Sequence, residues 1–453
     1  LQRCGLGGVL ADDMGLGKTV QVLALLDGQR QLANGPSLLV VPNSLVFNWQ
    51  REAERFTPGL RVGIHFGASR EKVAPRFDEF DLVITTYGTL RRDVTKLALV
   101  YFDYIILDEA QAIKNSAADV TRAVRALRGT NRLALSGTPV ENHLGELWSL
   151  FEFLNPGLLG AAPAFRRLLA APSTMSTAVR GPMAPDAKAI AAVAQALRPF
   201  MMRRTKSQVA TDLPARTERT LYVELEGEER ASYDALLRRI RNDLNETIDK
   251  VGMGKAKMQV LEALLRLRQA ASHRGLTDET KLDAESAKLD ALVDELQEVI
   301  EGGHKALVFS QFTSLLAIVK RRLDAAGIVY EYLDGKTRDR EARVDRFQND
   351  DACPVFLISL KAGGTGLNLT AAEYVFLLDP WWNPATEAQA IDRAHRIGQS
   401  RHVIATRLVA KDTVEERILE LQAGKRALAD AILGGEAGPI AGLGREELEQ
   451  LLR

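Results

Sequence analysis

Cysteine is nearly absent. Cys4 and Cys353 are the only two in 453 residues, with no Cys-x-x-Cys pair and no His/Cys cluster beside them. That excludes a disulfide framework and a structural zinc site, and leaves two reduced thiols in a cytosolic chain as the expectation. Long apolar runs are missing as well. None approaches the ~20 residues that span a bilayer, and no signal peptide opens the sequence, so no membrane partner is expected. Net charge is also lacking, because 59 basic residues balance 59 acidic ones. A zero balance neither marks nor excludes a nucleic-acid binder, since basic side chains can gather in one cleft.

The 46% hydrophobic and 26% charged content is that of a soluble globular chain. At ~150 residues per domain, the length allows about three units. Short β-rich apolar runs recur through the first third: "GVLA" (8–11), "SLLVVP" (37–42), "LRVGIHF" (60–66), "DLVITTY" (81–87), "YIILDEA" (104–110) and "RLALSGTP" (132–139). Helical patterns at 18–33 and 116–128 separate some of them. Apolar strands alternating with helices indicate a parallel sheet covered on both faces. The signal returns in "KALVFSQ" (305–311), "IVYEYLD" (328–334), "VFLISL" (355–360), "YVFLLDP" (374–380) and "HVIATRLV" (402–409). The fold class expected is therefore α/β, with two such units. Between them only "RTLYVEL" (219–225) reads as a strand, and helical patterns lie at 187–199, 228–246 and 256–271. The stretch 171–185 reads as a loop and 272–288 as a polar linker. The division expected is 1–154, a mainly helical 155–285, 286–420, and a helical tail at 421–453. The sequence opens almost directly on a strand and a Gly-rich loop, as a piece of a longer chain would.

That loop, "LADDMGLGKTVQ" (10–21), ends in the Gly17-Lys18-Thr19 of a phosphate loop but carries Asp12 where the general pattern has its first Gly. Gly15 and Gly17 let backbone approach phosphate oxygens. Lys18 suits the β- and γ-phosphates, the Thr19 hydroxyl suits Mg²⁺, and a helix starting at Lys18 turns its positive end to the anion. "YIILDEAQ" places Asp108 and Glu109 at the end of a buried strand, where ligands of open α/β sheets bind. Asp108 is the candidate to hold Mg²⁺ through water, and Glu109 the one to orient or deprotonate an attacking water. Much later, "QAIDRAHRIGQ" (389–399) sets Arg393 and Arg396 three apart, on one face if the segment is helical. Such a pair can act as fingers that stabilise charge on a γ-phosphate.

With these residues in view, the chain resembles the catalytic core of the SWI/SNF-type family of helicase-related, DNA-stimulated ATPases, within helicase superfamily two. The matching segments run in family order: "GGVLADDMGLGKTVQ" (7–21), "LLVVPNSLVFNWQREAERF" (38–56), "ILDEAQAIKN" (106–115), "LALSGTPVENHLGELWSLFEFLNP" (133–156), "MRRTKSQVATDLP" (202–214), "ALVFSQFT" (306–313), "SLKAGGTGLNLTAAEYVFLLDPWWNP" (359–384) and "QAIDRAHRIGQ". The resemblance implies two RecA-like lobes with helical insertions. In this family Asp12 is the ordinary first residue of the loop, whereas Gln111 departs from the more familiar "DEAH". A Gln-containing segment of the family, upstream of the loop, would lie before Leu1.

The resemblance further implies ATP and Mg²⁺ as ligands. Asp13, Met14, Gly15, Leu16, Gly17, Lys18, Thr19, Gly366 and Gln389 would hold the nucleotide, with Thr19 and Asp108 on the metal. Lys18, Asp108, Glu109, Arg393 and Arg396 would be catalytic. Double-stranded DNA is the implied partner. Its contacts would fall on Pro42, Asn43, Ser44, Thr85, Thr86, Tyr87, Ser136, Gly137 and Thr138 in the first lobe. In the second they would fall on Ser310, Gln311, Lys361 and the Trp381-Trp382-Asn383 turn, unless the tryptophans only pack. The activity implied is translocation on duplex DNA by a monomeric core, with a DNA-bound protein such as RNA polymerase as a possible target. The alternatives are a strand-separating helicase and a decayed, non-enzymatic DNA scaffold.

Overall fold

The computed structural model describes residues 1–67, 70–137, 144–169, 192–193, 195–210, 212–251, 253–363, 367–381 and 384–420. The loop expected at 171–185, the tail at 421–453, and Thr138, Gly366, Trp382 and Asn383 lie outside these. The chain divides into two compact units, Leu1–Thr211 and Asp212–Gly424. No helix among the described residues is long and apolar enough to cross a membrane.

The first unit is built on seven parallel strands: β1 (Gly8–Leu10), β2 (Ser37–Val41), β3 (Val62–His65), β4 (Leu82–Thr86), β5 (Tyr101–Leu107), β6 (Arg128–Leu135) and β7 (Met201–Met202), in the order β3-β4-β2-β5-β6-β1-β7. The central strands are apolar at consecutive positions because both faces are covered. Leu38, Val40, Ile105 and Leu107 pack to one side, and Leu39, Val41, Ile106 and Leu135 to the other. Each buried Leu or Ile contributes roughly 1.5–3 kcal/mol, so these strands dominate the unit's stability. Helices α1 (Lys18–Gln29), α2 (Val46–Phe56), α3 (Tyr87–Leu97), α4 (Asp119–Arg125), α5 (Leu144–Leu154) and α6 (Ala162–Leu169) fill the connections and overlying layers.

The second unit has six parallel strands: β8 (Arg216–Val223), β9 (Ala306–Ser310), β10 (Tyr330–Leu333), β11 (Val355–Ser359), β12 (Tyr374–Leu377) and β13 (Val403–Ala410), in the order β10-β11-β9-β12-β13-β8. Val308, Leu357 and Phe376 face one core, and Phe309, Ile358 and Leu377 the other. Helices α7 (Gly227–Val251) and α8 (Met253–Ser272) form a third core around Tyr233, Leu264 and Leu267. They are followed by α9 (Ala287–Glu301), α10 (Thr313–Ala325), α11 (Arg340–Asn349) and α12 (Pro384–Ile391).

Two expectations change here. The segment 155–285 does not stand apart, because β7 joins the first sheet and β8 the second. Both are edge strands, one very short and the other largely exposed, so neither carries the apolar signature of a central strand. The polar linker at 272–288 is in part core. Ser272, His273, Ser286 and Lys288 are fully buried. Lys288 Nζ donates to Glu415 Oε2 at 2.5 Å and to the Leu378 carbonyl at 3.2 Å, while Ser272 Oγ donates to Glu415 Oε1 at 3.2 Å.

Candidate nucleotide site and nucleic-acid edge

Register brings the first unit's candidates to one sheet edge. Leu10 pairs with Leu135 and Ala134 with Leu107, so β1, β6 and β5 stop together. Ala11 and Ser136 follow at one level, and Asp108 one position short of it. The loop after β1 reaches α1 through Gly15 and Gly17, whose φ values of 82° and 74° fall in the left-handed region that only glycine adopts at little cost. Gly17 caps α1, so Lys18 and Thr19 open the helix. Lys18 Nζ donates to the carbonyl oxygens of Asp12 at 2.6 Å and Asp13 at 3.3 Å.

Asp108 sits where β5 ends, and burial together with the neighbouring Glu109 charge pushes its carboxyl up to about 7. Trp49 Nε1 donates to Asp108 Oδ2 at 2.7 Å, the Glu109 N–H donates to Oδ1 at 2.9 Å, and the Tyr87 hydroxyl donates to the Asp108 carbonyl at 2.7 Å. Glu109 itself has φ 49°, and it turns its side chain toward Gln111, whose Nε2 donates to Glu109 Oε2 at 2.7 Å. Ser136 Oγ donates to Gln111 Oε1 at 3.2 Å. The residue that departs from "DEAH" therefore joins Glu109 to the end of β6. Thr19 and Asp108 carry oxygen donors only, the chemistry that suits Mg²⁺.

The edge of the second unit is equally tied together. Asp379 is buried after β12, and burial pushes its carboxyl up to about 6. It accepts from Ser310 Oγ and from the Gln311 N–H at 3.3 Å. Arg268 from α8 is buried beside it. Its Nη1 donates to Gln311 Oε1 at 3.2 Å and its Nη2 to the Pro380 carbonyl at 2.5 Å, with its guanidinium 5.7 Å from the Phe312 ring and 5.8 Å from the Trp381 ring.

Several of the residues expected to contact DNA make hydrogen bonds inside the protein. The Thr86 hydroxyl caps α3, accepting from the Thr89 N–H at 3.2 Å. Thr85 Oγ1 donates to the His65 carbonyl at 3.0 Å. Ser136, Ser310 and Tyr87 are buried on Gln111, Asp379 and Asp108 respectively. A hydroxyl removed from water must find an internal partner, and each of these has one. Asn43 and Lys361 are exposed, while Pro42, Ser44, Gly137, Gln311 and Trp381 are half-buried.

The arginine pair is corrected too. Helix α12 stops at Ile391, so Arg393 and Arg396 follow it in a turn rather than sharing a helix face. Arg393 is buried, whereas Arg396 is half-buried with Nη1 donating to the Leu367 carbonyl at 3.4 Å. The turn is held by Gln399, whose Nε2 donates to the carbonyls of Thr370, Ala372 and Ala394 at 3.1, 2.9 and 3.1 Å. Gln389 lies on α12, half-buried.

A family model described as the SNF2-related domain matches residues 1–276, more than half of the chain. The chain belongs to the SNF2-related family. A second model, the helicase conserved C-terminal domain, matches residues 287–398 of this SNF2-related chain. Among its relatives is a Bacillus subtilis (strain 168) protein, YwqA, provisionally described as an ATP-dependent helicase/translocase. It is 38% identical over all of this chain and 49% of its own length. The mouse SWI/SNF-related matrix-associated actin-dependent regulator of chromatin subfamily A member 1 is 34% identical over all of this chain and 44% of its own. The SNF2-related chain thus spans less than half the length of these relatives. Among solved structures, the Sulfolobus solfataricus SWI2/SNF2 ATPase core in complex with dsDNA is 33% identical, over 99% of this chain and 93% of that one, with a TM-score of 0.45.

Sequence reasoning missed Trp49, Gln21, Arg204, Arg268 and Gln399. Trp49, Gln21, Arg204 and Gln399 lie within the motif segments and Arg268 lies outside them, but no spacing rule links any of the five to its partner.

Proposed function

We propose that this SNF2-related chain is an ATP-hydrolysing motor core that moves along double-stranded DNA without separating its strands. The observation that carries this reading is the gathering of Lys18, Thr19, Asp108 and Glu109 at one end of the first sheet, in a chain whose family match continues into a helicase C-terminal domain. ATP would lie with its phosphates on the 13–19 backbone and the start of α1. Lys18 would leave the Asp12 and Asp13 carbonyls to neutralise phosphate oxygens. Glu109, held by Gln111, would align the attacking water and take its proton. Mg²⁺, when bound, would offset charge on the phosphates, with Thr19 and Asp108 as its protein donors. Arg396, and Arg393 if its turn opens, would supply positive charge to the same phosphates.

The second unit would contribute to DNA binding through exposed Lys361 and half-buried Gln311 and Trp381, by contacts to phosphates that are salt-sensitive and indifferent to sequence. Support for duplex DNA comes from the archaeal core named above, which was solved with it. A DNA-bound protein such as RNA polymerase would be what the motor displaces, and the core would act as a monomer in the cytoplasm, at the nucleoid. Strand separation is the competing reading, favoured by the helicase wording in the bacterial relative's name.

Steady-state ATPase rates decide the first part, measured without polymer and with duplex DNA, single strands or RNA at several salt concentrations. Duplex DNA should stimulate most, and Lys18→Ala should abolish hydrolysis while leaving DNA binding largely intact. Turnover by Lys18→Ala would show that the site is misassigned. Displacement of a triplex strand without unwinding of a tailed duplex separates translocation from strand separation.

A further inference from the structure

The aspartate that occupies the first slot of the phosphate loop has a partner almost two hundred residues away. Asp12 is fully buried. Arg204 reaches it with its backbone N–H at 3.0 Å from Oδ1, with Nε at 3.1 Å from each carboxylate oxygen, and with Nη2 on Oδ2. The same Nη2 donates to Gln21 Oε1 at 2.6 Å. Gln21, on α1, returns its Nε2 to Asp12 Oδ2 at 3.3 Å and to the Leu16 carbonyl at 3.2 Å. Guanidinium, carboxylate, amide and loop carbonyl thus close one hydrogen-bonded circuit around the phosphate loop. Burial alone pushes the Asp12 carboxyl up, but Arg204 and Gln21 outweigh it, and the group ends below the usual carboxylate value.

The backbone follows the same path. Beyond the paired residues of β7, the Ala11 N–H donates to the Met202 carbonyl at 2.7 Å and the Asp13 N–H to the Arg204 carbonyl at 3.0 Å. The Lys206 N–H donates to Asp13 Oδ2 at 3.0 Å. Residues 202–206 therefore lie as a strap along Ala11–Asp13, and chain continuity carries the strap on to Asp212, where the second unit begins. The carbonyls of Asp12 and Asp13 are the ones on which Lys18 rests.

Resting on the reading of this loop as the ATP site, we propose that Arg204 is a positioning residue for the phosphate loop: it holds Asp12 and, through it, the carbonyls that seat Lys18. A buried carboxylate stripped of its cation is costly, whereas removing both charges can be nearly neutral. Arg204 is therefore needed because Asp12 is there, and losing either one alone should be worse than losing both. A loop with glycine in the first slot, as in the general phosphate-loop pattern, would need no such cation.

The test uses the full chain carrying Arg204→Ala, Arg204→Lys, Asp12→Ala and the double variant Asp12→Ala/Arg204→Ala. The readouts are kcat and KM for ATP at saturating duplex DNA, and the Kd of a fluorescent ATP analogue. Arg204→Ala should raise KM and Kd about tenfold or more with kcat changed far less, because the loop is misplaced rather than the chemistry. Arg204→Lys should recover part of the loss, since an ammonium replaces the charge but not the fork. The double variant should return to within about threefold of the wild type. A double variant as weak as Arg204→Ala would overturn the proposal, because Arg204 would then be acting on the nucleotide itself. An unchanged KM in Arg204→Ala would overturn it as well. If Arg204→Ala fails to fold, Arg204→Lys against the double variant makes the same comparison. Wild-type hydrolysis that is lost in Lys18→Ala stands whatever Arg204 does. Failure of that pair removes the site reading, and a silent Arg204 series beside an intact Lys18 result removes only this inference.

Discussion

Trp49→Phe removes a buried N–H donor and part of a ring from the centre of the first unit. The indole N–H stands 2.7 Å from Asp108 Oδ2, and Trp49 is 1% exposed, so no bulk water waits to replace it. The Glu109 N–H serves the other oxygen, Oδ1, and Oδ2 loses its indole partner. Two costs follow. A hydrogen bond to a charged group is worth about 1.5–3 kcal/mol, and the smaller ring gives up packing worth about 1–2 kcal/mol. Their sum, about 2.5–5 kcal/mol, applies well above the value of about 7 at which Asp108 ionises, because only there is the acceptor charged. The assay is urea unfolding followed by circular dichroism, on Trp49→Phe alone and combined with Asp108→Asn. In the Asn background the charged part is already gone, so the tryptophan change should cost only about 1–2 kcal/mol. Equal costs in both backgrounds would refute the claim that the indole holds this carboxylate. In ATPase assays Trp49→Phe should lower kcat/KM about 10- to 100-fold by the same hydrogen-bond term.

Other consequences fall in the second unit. Lys288→Met strands Glu415 in the core and should cost about 3–5 kcal/mol, most of it recovered when Glu415→Leu is added; a double variant no better than the single would show that the ion pair is not the cause. Asp379 titrates near 6 when folded and near 3.8 when unfolded, so the native state holds its proton more tightly and stability is lost as pH rises from about 4 to above 6. The loss is about 3 kcal/mol; unfolding free energies against pH should show this component in the wild type and not in Asp379→Asn.

The sequence by itself determined both sheets and the phosphate loop. Continuous apolar runs such as "SLLVV" and "VFLIS" can only be central parallel strands, because every position must be buried on one face or the other. The turn through Gly15 and Gly17 into the helix at Lys18 was legible because it depends on backbone conformation and local spacing. Of the edge strands only β7, two residues long, escaped notice; β8, polar and mostly exposed, was legible only in its second half, within "RTLYVEL". The turn carrying Arg393 and Arg396 read as helix because Gln399, which ties the turn's own Ala394 carbonyl to those of Thr370 and Ala372, has no local signature. Hydroxyls at strand ends are ambiguous in one dimension. Thr86 and Ser310 look like surface groups until burial commits them to Thr89 and Asp379.

Only the tertiary structure decided which distant side chains complete the site. Trp49 meets Asp108 because α2 packs on the face of the sheet that ends there, and Arg204 meets Asp12 because a two-residue edge strand runs beside β1. Sequence periodicity reports which face of an element is buried. It does not report which element, brought up from dozens or hundreds of residues away, supplies the polar partner that a buried charge requires.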